Sequence, residues 1–104
     1  MNLDVFDIRF ERMTGATAVE TEVRAWLSKL SKDLDEASVS RGSVVVEARP
    51  RSHQGDALKH HVRIDVTTPE GAITIGGDKL DIRPHEDVYV AIRDAFRQLR
   101  RRLA

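Results

Sequence analysis

Apolar and polar residues alternate along this chain with two periods, and each period predicts its own kind of element. Within residues 3–11, Phe6, Ile8 and Phe10 take turns with Asp7, Arg9 and Glu11, the period of two that sends successive side chains to opposite faces of a half-buried strand. From Thr17 the period lengthens. Val19, Val23, Trp26, Leu27, Leu30 and Leu34 form one stripe of a helix running to about Asp35, with Thr17, Thr21, Arg24, Ser28 and Lys32 opposite. Thr17-Ala18-Val19-Glu20 has the spacing of a capping box, in which a hydroxyl and a carboxylate satisfy the unpaired N–H groups of a helix start. Residues 43–48 contain the β-branched run Val44-Val45-Val46 and stop short of Pro50, which lacks a ladder donor.

A basic, turn-rich loop over residues 49–56 precedes the longest alternating stretch, residues 58–67. There Leu58, His60, Val62, Ile64 and Val66 share one face, and Lys59, His61, Arg63, Asp65 and Thr67 the other. Thr68-Pro69-Glu70-Gly71 reads as a turn, residues 72–75 as a short strand, and Gly76-Gly77-Asp78 as a break. Residues 84–104 then read as a second helix, with Pro84 suited to the first helical position and Glu86 and Asp87 placing negative charge at its start. Val88, Ala91, Ile92, Ala95, Phe96, Leu99 and Leu103 make its inner stripe. Arg93, Arg97, Arg100 and Arg101 fall on the outer side, with Val90 among them.

The predicted order is strand, helix, strand, strand, strand, helix. Two helices with one apolar stripe each need a shared surface, and a four-stranded sheet supplies it. The expectation is a two-layer α+β sandwich, β-α-β-β-β-α, with both helices on one face and the other face solvated. Trp26 and Phe96 are both expected to pack on the sheet. At 104 residues the chain is long enough for one domain, residues 1–104, and one modest core.

Charge changes this picture only locally. Seventeen basic residues balance seventeen acidic ones, so long-range steering toward a polyanion is weak. The last stretch is different: from Ala95 onward there are four arginines and no acid. That face suits phosphate, although a charged outer helix face more often just keeps a helix wet. An apolar Val90 amid arginines favours a contact surface. The chain has no cysteine and no apolar run long enough to span a membrane, which fits a cytoplasmic protein.

Candidate chemistry is sparse. His53, His60, His61 and His85 lack the spacing of a metal site, and no nucleophile motif accompanies the scattered carboxylates. Gly76-Gly77-Asp78-Lys79 lacks the glycine spacing and the Lys-Ser/Thr pair of a phosphate loop. Neither an enzyme nor a bound metal or cofactor is expected, and no small-molecule substrate.

The run Asp87-Val88-Tyr89-Val90-Ala91-Ile92, followed by Leu99 and Leu103, resembles the second-helix signature of the ribosome hibernation-promoting factors, also called ribosome-associated inhibitor or protein Y. The segments VVVEARPRSHQG, HVRIDVTTPEGAITI and HEDVYVAIRDAF are similar to members of that family known simply as ribosome-associated proteins. The resemblance implies a dsRNA-binding-domain-like fold. It also implies binding to the small ribosomal subunit, in the channel used by mRNA and tRNA near the decoding centre, during stress. Members act by occupancy and hold the ribosome inactive.

Carried over by position, the RNA-binding candidates are Arg24, Lys29 and Lys32 on the first helix and Arg93, Arg97, Arg100, Arg101 and Arg102 on the second, with Lys79 and Arg83 leading into it. The family's first helix is usually richer in lysine. The chain resembles a short form, for which no C-terminal ribosome-pairing domain is expected. The competing expectation is a protein-interaction or regulatory module of the same fold without ribosome affinity, which the neutral charge favours.

Overall fold

The computed structural model describes residues 5–13, 17–33, 39–49, 59–76 and 87–103. Its elements follow the predicted order: β1 (Phe6–Glu11), α1 (Thr17–Asp33), β2 (Arg41–Arg49), β3 (Lys59–Thr68), β4 (Gly71–Ile75) and α2 (Val88–Leu103). The strands form one mixed sheet in the order β1-β2-β3-β4. β1 and β2 run parallel because α1 carries the chain back before β2 begins. The other neighbours are antiparallel. Between β3 and β4 only Pro69 and Glu70 separate the paired residues Thr68 and Gly71. The Thr68 hydroxyl donates to the Gly71 carbonyl at 2.8 Å, and Gly71 resumes the strand at a φ of 131° that residues with a Cβ rarely adopt.

Strand residues of one parity form the core. Phe6, Val44, Val46, Val62, Ile64, Val66 and Ile75 pack in a single cluster with Val19, Val23, Leu27 and Leu30 of α1 and Ala91, Ile92, Ala95, Phe96 and Leu99 of α2. Both helices therefore cover the same face, as a sheet with one apolar side requires. Each fully buried aliphatic or aromatic side chain contributes about 1.5–3 kcal/mol by leaving water. The ring of Phe6 occupies the space a Cβ on its β2 partner Gly42 would need. Gly42 is thus the pocket into which the edge-strand aromatic folds.

The far face carries interleaved charge. Arg9 Nε donates to Asp7 at 2.8 Å, which raises the arginine pKa above its ordinary value, first through that hydrogen bond and then through the Asp7 charge. Arg63 Nε donates to Asp65 at 2.8 Å and Thr74 Oγ1 donates to the same carboxylate at 2.7 Å. This face departs from the sequence expectation at one residue. His61 was expected among the solvated side chains of β3, but only 5% of its surface is exposed, and its ring bonds the carbonyl of Gly76, the residue that follows β4.

Candidate nucleic-acid interface

The two helix starts differ from expectation, and the difference decides which side chains are left for a partner. α2 begins at Val88 rather than near Pro84. The Asp87 carboxylate accepts from the Tyr89 backbone N–H at 2.9 Å, and the Asp87 carbonyl accepts from Ala91 N–H at 3.2 Å. Asp87 is thus the N-cap, a role its short acceptor fills well. Helix α1 begins at Thr17 itself, so Thr17 lies inside the first turn and not ahead of it. Glu20 accepts from Arg24 Nε at 2.9 Å, an exposed pair one turn apart worth a few tenths of a kcal/mol, about 0.3–0.5.

On α2, Arg93, Arg97, Arg100, Arg101 and Arg102 are all exposed. Arg93 lies 3.4 Å from Asp94. Arg97, Arg101 and Arg102 make no ion pair with any described residue. Arg100, Arg101 and Arg102 occupy the last turn, where cations complement the unpaired carbonyls of a helix end. The contact residue expected on this face was Val90. It is half-buried, and the exposed large apolar residue of the helix is its neighbour Tyr89, with 43% of its surface open.

On α1, Trp26 is half-buried and packs against the core cluster, while Phe96 of α2 is buried within it. Its ring stacks on Phe96 of α2, with centroids 6.1 Å apart and planes 10° from parallel, an offset arrangement that favours aromatic pairs. The indole N–H donates to Glu22 one turn earlier at 3.1 Å, which fixes the ring's edge. Lys29 Nζ sits 5.2 Å from the centre of the same ring, a cation–π contact worth about 0.5–1 kcal/mol at an exposed site.

Together these residues line a cleft of about 140 Å³ between the helices, formed by Trp26, Lys29, Leu30, Phe96, Arg97 and Arg100. The cleft has an aromatic and aliphatic floor and three cations at its rim. A wider concavity on the far face of the sheet, about 390 Å³, is lined by Val5, Asp7, Arg9, Arg41, Gly42, Ser43, Asp65 and Thr67. Its acids and arginines neutralise one another, so it offers a polyanion no net attraction.

Of the ten basic candidates, the structure brings Lys29, Arg97 and Arg100 together. Arg24, Lys32, Arg93, Arg101 and Arg102 lie exposed on the helices outside the cleft. Lys79 and Arg83 fall outside the described residues. Among the described residues, no group of three His, Asp or Glu side chains is placed to hold a metal ion, and no helix is long and apolar enough to cross a membrane.

Two solved structures share this architecture across nearly the whole chain. The N-terminal domain of protein Y from Thermus thermophilus matches at 20% identity and a TM-score of 0.66, over 94% of this chain and 93% of that one. The chain has the protein Y fold. A ribosomal subunit interface protein from Coxiella burnetii matches at 13% identity and a TM-score of 0.71, over 94% and 91% of the two chains. No protein-family model matches the sequence, and no curated protein does. At these identities the likeness establishes the protein Y fold, in agreement with the β-α-β-β-β-α order read from the periods.

Proposed function

We propose that this chain is a hibernation-factor-like protein that binds the ribosome, docking its two helices against ribosomal RNA on the small subunit, in the mRNA and tRNA channel near the decoding centre. The observation that carries this reading is the convergence of Lys29 from α1 with Arg97 and Arg100 from α2 across one cleft, on a fold shared with a ribosomal subunit interface protein. Arginine suits the task because its planar fork bonds phosphate oxygens in pairs. Inhibition is by occupancy: a bound domain excludes mRNA and tRNA, which requires no catalytic group, no cofactor and no sequence readout. Such a protein works in the cytoplasm, under conditions where translation is switched off.

The protein-interaction reading draws support from the neutral net charge and from Glu20 and Asp94, which partly neutralise Arg24 and Arg93. Replacing Arg97 and Arg101 together with glutamate separates the two readings. Both residues are exposed and lie outside the apolar stripe, so the melting curve should hardly move. Co-sedimentation with small subunits and inhibition of an in vitro translation reaction should both be lost. A variant that still co-sediments and inhibits would remove the arginine face from the account and leave the protein-interaction module in its place.

A further inference from the structure

The cleft between the helices is more than a patch of positive charge. Phosphate alone calls for cations, yet the floor here is the half-buried face of Trp26 stacked beside Phe96, and the cations stand around it. Its volume of about 140 Å³ is close to that of an engineered apolar cavity that takes up a benzene molecule. One flat aromatic ring therefore fits inside it, and because the cleft is open to solvent on one side the second ring of a purine can extend outward.

Resting on the reading of RNA as partner, we infer that this cleft receives a single unstacked base of an RNA strand, which lies on the indole of Trp26 while Arg97 and Arg100 hold the adjoining phosphates. Single-stranded nucleic acid is bound in general by this combination, aromatic platforms for bases and a cationic groove for the backbone. Lys29 is the gate. In the free protein its ammonium covers the Trp26 ring, and an exposed contact of that kind is weaker than base stacking on an aromatic side chain. An incoming base displaces it, and the released cation swings to the phosphate side. The Trp26 N–H is already held by Glu22, so the ring keeps its orientation through the exchange. Recognition by stacking is indifferent to base identity, since every base has a π-face.

Trp26 is the single tryptophan of the chain, so its emission reports on the site without any substitution. The probes are a hexamer of adenylate RNA and a hexamer of the same ribose-phosphate backbone lacking bases, each titrated by fluorescence anisotropy and by Trp26 emission. The expected result is quenching by the adenylate hexamer only, with the abasic hexamer bound roughly tenfold or more weakly. Trp26→Leu should reduce the adenylate affinity to the abasic level, and Trp26→Phe should restore part of the difference. Equal binding of both hexamers with unchanged Trp26 emission would overturn the base pocket while leaving the phosphate contacts standing. Failure of both hexamers to bind would overturn the pocket as well. Co-sedimentation with small subunits, measured on the same protein, then decides the fate of the ribosome reading separately.

Discussion

His61 Nε2 donates to the carbonyl of Gly76 at 2.6 Å, closing the end of the short strand β4 onto the long strand β3. The contact exists because Gly76 has no side chain: a Cβ there would strike the Val62 carbonyl, and its φ of +71° lies in the left-handed region. Gly76→Ala should therefore destabilise the fold by at least about 1–2 kcal/mol from backbone strain alone, with the collision in addition. His61→Leu should cost about 1–3 kcal/mol by leaving a buried carbonyl without its donor. Denaturant melts check both, and values near zero would mean that β4 is not latched in this way.

Phe96 has 2% of its surface exposed and joins the core cluster, whereas Trp26 packs only partly against that cluster. Phe96→Ala should cost about 3–5 kcal/mol, much of the stability of a domain this size. Trp26→Leu should cost clearly less, because one side of the indole faces the cleft and the replacement keeps an apolar contact. Equal losses for the two in urea melts would place Trp26 in the core and close the cleft.

Periods of two and 3.6 are local properties, so the element order and the inner stripe of α2 were legible in the chain alone. So were Val62, Ile64 and Val66 as one buried row on β3. What was not legible depended on where another segment lands. His61 meets the carbonyl of Gly76, fifteen residues further along the chain, and Trp26 meets Phe96 across the helix pair. At the start of α2 two local signals competed. Pro84 suits a first helical position, but it is Asp87, three residues after Pro84, that accepts from the Tyr89 N–H and caps the helix. Among the ten basic candidates, charge and spacing identified exposed positions. They did not indicate that Lys29 of α1 meets Arg97 and Arg100 of α2, a relationship across the helix pair. Trp26 three residues before Lys29, on the edge of a stripe, was the available signal for an aromatic platform.

Asp65 is subject to opposing influences. Partial burial, the largest, pushes its pKa up, but hydrogen bonds from Arg63 and Thr74 and the Arg63 charge together bring it below its ordinary value of 3.8. A carboxylate with a lowered folded pKa adds stability that is fully present above 3.8 and is lost as pH falls through the lower folded value. Because the group is partly exposed, the contribution is small and screened by salt. Asp65→Asn should accordingly lower the denaturation midpoint slightly near neutral pH, and the difference from the parent protein should shrink in acid. A carboxyl titration followed by NMR that returns a value above 3.8 for Asp65 would contradict this.

If Lys29 and the α2 arginines bind ribosomal RNA through its phosphates, as proposed, affinity for purified small subunits must depend steeply on salt. If Lys29, Arg97, Arg100 and Arg101 each neutralise one phosphate, log affinity should fall against log salt with a slope of about −3 to −4. Between about 50 and 200 mM salt that amounts to roughly a hundredfold loss. An affinity that stays nearly constant across this range would mean that no counterions are released, and the arginine-phosphate account would be wrong.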